Sequence, residues 1–504
     1  MENSVLSGRL ESRVGFNAGA MGGQVFGIIE HWRGLSDNGA RPRRTNTLEL
    51  NMIQKIPNFP ESPTIETLEL SNGMQVMLCP MGQMHRCQVL LNVASGCRDE
   101  RRPGTAHMLE HLIFRGSKAY PGLRALSEAF EAYGADFNAF TAREVTSFEV
   151  SSPAESLEAV LMMLGEVMRE PKLHGIAAER EIIREEILPD YDADNTLINV
   201  DDLMVSLFYG EAGRPIAGDP DDLAQITREE VVGFYEAHYA APNMVLVMAG
   251  AVGDAASMKP ILEAAFGGIS RAFRPWPRRE MPAEYREAIS KNNSVKSRLC
   301  VKKYDGAVQS EVLLGFLECE ASRPEFSAIE MLIRVLDDGM ASRLSRRLVE
   351  ELALVYDAEA FLSTTQESTL AQIRVSCRHR RVSKVVSAVY AILSEIARDG
   401  VEREELERIR RRVVWEHIGM LDNTGQWVSW LSTMKLQHLP YDLRARCEAL
   451  CAVTGEEIRS VARGMLRERA HIVAVVGDPS AHICEEIQSV MEENLEREVV
   501  FSKL

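Results

Sequence analysis

His107-Met-Leu-Glu110-His111 is the segment whose residue types and spacing could carry chemistry. On a helix, residues four apart lie one turn above each other, so two imidazoles at that spacing can hold one metal ion between them. Glu110 follows His107 by three residues on the same side, placed to reach a metal-held water without ligating the metal. A catalytic zinc takes three protein ligands and a water, so a further His, Asp or Glu must come from another element. The acidic run Glu179, Glu181, Glu185 and Glu186 offers candidates. At about 100° per residue, Glu179 and Glu186 fall within about 20° of each other around a helix axis, on the side of Ile183. Glu181 and Glu185 read as a solvated face. The spacing leaves Glu179 and Glu186 as the pair that can turn inward together, and does not choose between them. Such a group supports hydrolysis. The metal lowers the pKa of its water toward about 7 and polarises a carbonyl. Glu110 takes the proton and returns it to the leaving group.

These side chains need helices to carry them and a sheet to hold the helices. Pro103 and Gly104 precede a periodic run from Thr105 to Phe114, and a second helix is expected from about Ile176 to Leu188. Upstream, Thr64 to Leu70 and Gln75 to Cys79 flank Asn72-Gly73, a hairpin signal, and Cys87 to Val93 reads as a third strand. Leu123, Leu126, Phe130 and Tyr133 keep helical spacing. Ser152-Pro153-Ala154-Glu155 reads as a capping box, opening a helix with Leu157, Val160, Leu161, Leu164 and Val167 on one face. Strands mixed with helix pairs give an α+β class. The chain also repeats itself. Thr227-Arg-Glu-Glu230 leads through a helix to the strand Val245–Gly250, and Thr454-Gly-Glu-Glu457 leads likewise to Ile472–Gly477, both at an offset of 227 residues. Two homologous domains are therefore expected, each a mostly antiparallel sheet packed with helices. The expected boundaries are an extension over 1–57, a metal-binding domain over 58–277, a linker over 278–297 and a second domain over 298–504.

Composition narrows the classes. With 504 residues, 45% apolar and 26% charged, and only 34 glycines, the chain is neither disordered nor collagen-like. A net charge of −17 disfavours nucleic acid and anionic lipid and permits basic peptides. The apolar run Met244 to Gly253 is about half of the ~20 residues a membrane helix needs, so no membrane partner is expected. Nine cysteines without a Cys-x-x-Cys read as buried free thiols in a reducing compartment. Residues 1–30 lack a secretory core, and arginines outnumber lysines as in high-GC bacteria, so a bacterial cytoplasmic location is expected. The terminal Ser502-Lys503-Leu504 matches a peroxisomal address that has no meaning in a bacterium.

The segment Gly104-Thr-Ala-His107-Met-Leu-Glu110-His111-Leu-Ile-Phe-Arg-Gly116-Ser117 resembles the zinc helix of the pitrilysin-like inverzincin peptidases. The resemblance is to the branch of short two-domain subunits that includes mitochondrial processing peptidase and its bacterial relatives. Glu179-Arg-Glu-Ile-Ile-Arg-Glu-Glu186-Ile is similar to that family's second zinc segment, Asn138-Ala139-Phe140-Thr141 to its substrate strand, and Arg214-Pro-Ile-Ala-Gly218 and Tyr239-Ala-Ala-Pro-Asn243 to further landmarks. The resemblance spans about residues 60 to 480. It implies Zn²⁺ held by His107, His111 and Glu186, with Glu110 as general base and Glu179 supporting the site. It also implies peptide binding at Asn138, Ala139 and Phe140, and a fold forming half of a clamshell chamber.

The second half is similar to the family's zinc-free domain. Setting Gly339 against Gly116 places Glu330, Ile333 and Arg334 opposite His107, Glu110 and His111, a trio that cannot form the same site, so one zinc per chain is expected. One departure stands out. The family places an Arg and a Tyr of this domain at the substrate; here Tyr356 is present but the arginine position is Val349, which cannot hydrogen-bond a peptide. Arg346 or Arg347 replaces it, or a partner subunit does. The expected protein is thus a zinc endopeptidase acting on unfolded or leader peptides. It is expected to be the zinc subunit of a heterodimer with a homologous zinc-free chain, or a homodimer. The alternative is a non-catalytic scaffold or peptide-presenting subunit.

Overall fold

The computed structural model describes residues 59–283, 285–287, 297–320 and 323–504. The expected extension and half of the expected linker, residues 284 and 288–296, lie outside the described residues. The chain builds two six-stranded sheets. The first contains β1 (Glu66–Glu69), β2 (Gln75–Pro80), β3 (Arg86–Val93), β4 (Asp136–Thr141), β5 (Thr146–Pro153) and β6 (Met244–Gly250), in the order β1-β2-β6-β3-β5-β4. The second contains β7 (Ser297–Lys303), β8 (Ser310–Glu318), β9 (Ala358–Thr364), β10 (Thr369–Cys377), β11 (His471–Gly477) and β12 (Val499–Lys503), in the order β12-β7-β11-β8-β10-β9. Only β2/β6, β7/β11 and β7/β12 pair in parallel.

The helices over the first half are α1 (Thr105–Phe114), α2 (Leu123–Ala132), α3 (Leu157–Arg169), α4 (Ile176–Ile187), α5 (Val200–Tyr209), α6 (Pro220–Gln225), α7 (Arg228–His238) and α8 (Ala255–Phe266). Those over the second half are α9 (Phe326–Leu336), α10 (Val382–Asp399), α11 (Arg403–Met420), α12 (Thr424–Leu436), α13 (Leu443–Ala452), α14 (Gly455–Arg467) and α15 (Ala481–Leu495). Met108, Leu109 and Leu112 of α1 and Leu161 and Leu164 of α3 pack with the inward side chains of β2, β3 and β6 in one core. The second half has its own core of the same kind.

The duplication is visible element by element. Thr227 and Thr454 each cap a helix, with Glu230 and Glu457 closing reciprocal capping boxes. The strands that follow end at Gly250 and Gly477. An offset of 223 residues relates the hairpin pair Thr141↔Thr146 to the pair Thr364↔Thr369. The 227-residue offset also sets Val200 of α5 against Trp427 of α12. These two matched helices are exchanged. Leu203, Met204 and Phe208 of α5 pack on Leu313, Ile472 and Ala474 of the second sheet. Trp427, Trp430 and Leu431 of α12 pack on Met77, Leu90 and Val247 of the first. Each half thus covers the outer face of the other half's sheet.

One local expectation changes. Ser152 lies in β5 opposite Cys87, and α3 starts only at Leu157 with no side-chain cap, so the expected capping box does not form. Sheet pairing takes the residues that would have capped the helix. The Asn72-Gly73 turn is a five-residue loop between Glu69 and Gln75, and the Asn72 amide is buried, donating to the Phe266 carbonyl at 2.8 Å. Ser502 and Lys503 are strand residues of β12, and the Leu504 amide donates to the Val301 carbonyl at 3.0 Å, which builds the terminal tripeptide into the sheet. All nine cysteines are free thiols, and all but Cys319 are buried. Among the described residues no helix is long and apolar enough to cross a membrane.

Candidate metal centre

α1 starts without a capping side chain of its own, because its N-cap is Gly104. The carboxylate of Glu100 does the work instead. It accepts from the Gly104 amide at 2.8 Å and the Ala106 amide at 2.7 Å, satisfying donors that the first turn leaves open. Burial pushes Glu100 up to about 8, against the pull of those two amides. Gly104 has φ 83°, and a Cβ there would lie 2.3 Å from the Ala217 carbonyl oxygen. That contact is why the Arg214–Gly218 segment can close against the start of the helix.

On α1, His107, Glu110 and His111 share a face turned toward α4 and β4. The Nε2 of His107 is 3.7 Å from one oxygen of Glu186, and the Nε2 of His111 is 3.5 Å from the other. One ligand atom from each of the three lies within 4.8 Å of the others, wider than the roughly 3.3–3.5 Å between ligands of a tetrahedral zinc at about 2.0–2.1 Å, so the side chains close in on a bound ion. These three residues are also the metal-competent group found among the described residues. Glu186 is half-exposed and reaches the histidines from the last turn of α4. Glu179, two turns earlier, is buried and takes the other side of His111, its oxygen 3.1 Å from Nδ1. Arg115 donates to the second oxygen of Glu179. The contact between Glu179 and Nδ1 leaves Nε2 of His111 facing Glu186.

Burial and the neighbouring His111 hold His107 down to about 4, so its imidazole is neutral and free to ligate. Burial works to lower His111, but Glu186, Glu110 and Glu179 outweigh it and raise the group. The bond from His111 holds Glu186 below the ordinary carboxylate range. Glu110 is buried, and burial pushes its carboxyl up; the Thr141 hydroxyl, donating at 2.6 Å, pulls the other way.

Asn138, Ala139 and Phe140 lie on β4, which among the described residues pairs only with β5 and has its other edge open. Asn138 and Phe140 are exposed, while Phe137 turns inward and stacks on Phe130. Tyr356 is 97% exposed. Val349 is half-buried, and Arg346 and Arg347 both pair with Glu351. Sequence reasoning did not single out Arg115, Glu100 or the Thr141 hydroxyl; their roles appear only once α1, α4 and β4 are brought together. In the second half, Glu330, Ile333 and Arg334 line a cavity of about 580 Å³. Arg446 clamps both oxygens of Glu330 at 2.6 and 2.8 Å, and Arg334 pairs with Glu416 at 2.7 Å. Ion pairs fill the place that the metal group holds in the first half.

Residues 76–218 match the family described as insulinase, peptidase family M16, and residues 225–413 match the family's inactive domain. The chain belongs to the M16 peptidase family. An uncharacterized zinc protease of Mycobacterium leprae is 26% identical over 416 residues, covering 81% of this chain and 90% of that one. One from Streptomyces coelicolor is 25% identical over 427 residues, covering 82% and 90%. Among solved structures, a protease from Helicobacter pylori superposes with a TM-score of 0.74 at 18% identity, covering 83% of this chain and all of that one. The first half of the periplasmic protease PqqL from Escherichia coli gives 0.67 at 19% identity, covering 88% and 99%. The M16 fold, with two α+β domains, is thus shared with these structures.

Proposed function

We propose that this M16 protein is a zinc endopeptidase that cleaves unfolded or precursor peptides. The observation that carries the reading is the convergence of His107, His111 and Glu186, one ligand atom from each within 4.8 Å of the others, with a buried carboxylate, Glu110, beside them. A zinc ion bound there supplies a Lewis acid and a water activated near neutral pH. Glu110 accepts the water's proton and hands it to the leaving amine. Glu179 fixes the ring of His111. A peptide adds to the open edge of β4 through main-chain hydrogen bonds, alongside Asn138, Ala139 and Phe140, which favours extended chains. Removal of metal by a chelator should stop cleavage of an unfolded peptide and added zinc should restore it. Peptide affinity that survives chelation, without any cleavage by the zinc-loaded chain, would instead mark a peptide-presenting scaffold.

The natural assembly in this reading is a dimer with a homologous zinc-free chain. It is supported by Val349, which offers no donor, and by Arg346 and Arg347, which are committed to Glu351. Tyr356 would then meet substrate only within the assembled chamber. Native mass of the purified protein tests it: a heterodimer agrees, a homodimer moves the missing donor to a second copy, and a fully active monomer contradicts both.

A further inference from the structure

Thr141 ends β4, and its buried hydroxyl donates a hydrogen bond to Glu110 at 2.6 Å, alongside one from its backbone. Two residues on, the tip of the β4–β5 hairpin is clamped from both sides. The Cys97 and Arg98 amides donate to the Ala142 and Arg143 carbonyls at 3.1 and 3.0 Å. That approach requires glycine at 96, where a Cβ would lie 2.2 Å from the Ala142 oxygen. The Arg98 side chain is 1% exposed and donates to Glu144 at this tip (2.8 Å), to Glu367 at the tip of the matching β9–β10 hairpin (3.0 Å) and to the Arg279 carbonyl (2.9 Å). The Gln366 amide donates to Glu144 at 3.1 Å, and Arg278 joins Asp99 at 2.9 Å and Gln366 at 3.1 Å. The two duplicated hairpins therefore meet tip to tip around one buried guanidinium.

We propose that Thr141 is a positioning residue for Glu110 and that the zinc-free domain holds it in place through Arg98, Glu144 and Glu367. This rests on Glu110 acting as the base in the peptidase reading above. A carboxylate with one oxygen fixed by the Thr141 hydroxyl presents the other in a single orientation, and misplacement of a base by an ångström can cost about a hundredfold in rate. The joint gives the second domain, in which no metal-competent group is found among the described residues, a mechanical part in the chemistry.

Three variants test it. Thr141→Val, nearly isosteric, should lower kcat roughly ten- to hundredfold with KM and zinc content unchanged, and Thr141→Ser should restore it. Glu367→Ala should lower kcat several-fold, and in the metal-free protein it should speed amide exchange across residues 136–146. The double variant Thr141→Val/Glu367→Ala should be no worse than Thr141→Val alone, because both act on the same bond. Wild-type kcat in Thr141→Val overturns the positioning role. Multiplying effects, or unchanged exchange in Glu367→Ala, overturn the joint. If the zinc-loaded wild type cleaves nothing, the peptidase reading fails, while the exchange measurement still decides the joint.

Discussion

Glu179 is buried between two hydrogen-bonding partners, the Arg115 guanidinium and the His111 ring. Its value to the site is directional, because it fixes which nitrogen of His111 faces Glu186. Glu179→Gln keeps the size but loses the charge that Arg115 and the ring both use. Zinc affinity in that variant should fall by about ten- to a hundredfold, as for other partners of ligating histidines. Competition with a chelator reads this directly, and an unchanged affinity would remove Glu179 from the site. His107 has no such support: its Nδ1 is buried without a hydrogen-bond partner. The sequence spacing was enough to pick out His107, Glu110, His111 and the Glu179/Glu186 pair, since helical geometry puts each on one face. It could not show Arg115 or Thr141 as partners, because those contacts depend on how far α1 stands from α4 and β4.

At the scale of elements, α1 and α4 were legible to within a residue because their periodicity is uninterrupted. The Ser152 cap was misread because strand pairing with Cys87 competes for the same residues, and local pattern carries no information about a partner 65 residues away in sequence. The repeat marked α7 and α14 correctly but gave no hint of exchange, since an amphipathic helix does not state which sheet it will cover. Trp427 is fully buried against the first sheet, its indole N–H 2.9 Å from the Cys79 sulfur. Trp427→Ala should cost about 3–5 kcal/mol of stability, seen as a lower urea midpoint; a cost under about 1 kcal/mol would mean that α12 is not holding that face. His471 pins β11 from inside. It bonds the Gly315 carbonyl of β8 and the Tyr390 hydroxyl of α10, and it stacks on Phe316. Burial lowers it to about 3, against the Gly315 bond. The unfolded chain takes up that proton near pH 6.5, so this histidine's contribution is whole above 6.5 and is lost as pH falls from there toward 3. A ring NMR signal that stays neutral at pH 5 agrees; one titrating near 6.5 does not.

Among the ties between the two halves are α5 on the second sheet, α12 on the first, and Arg98 between the hairpin tips. A first half made alone would leave Met77, Leu90 and Val247 facing water, and a second half alone would expose Leu313, Ile472 and Ala474. An exposed apolar face of that kind drives aggregation. The two halves should therefore unfold in one calorimetric transition, and each should be soluble only when the other is co-expressed. Two resolved transitions, or a soluble isolated half, would contradict the exchange as the basis of stability. Around Glu330 and Arg334, ion pairs to Arg446 and Glu416 line the cavity at the position that matches the metal group of the first half.

The most direct test is metal content measured together with peptide cleavage in the wild type and in Glu110→Gln. One zinc per chain in both, with cleavage in the wild type and none in Glu110→Gln, is the predicted result. Wild-type turnover by Glu110→Gln, or a wild type that binds no zinc, would contradict it.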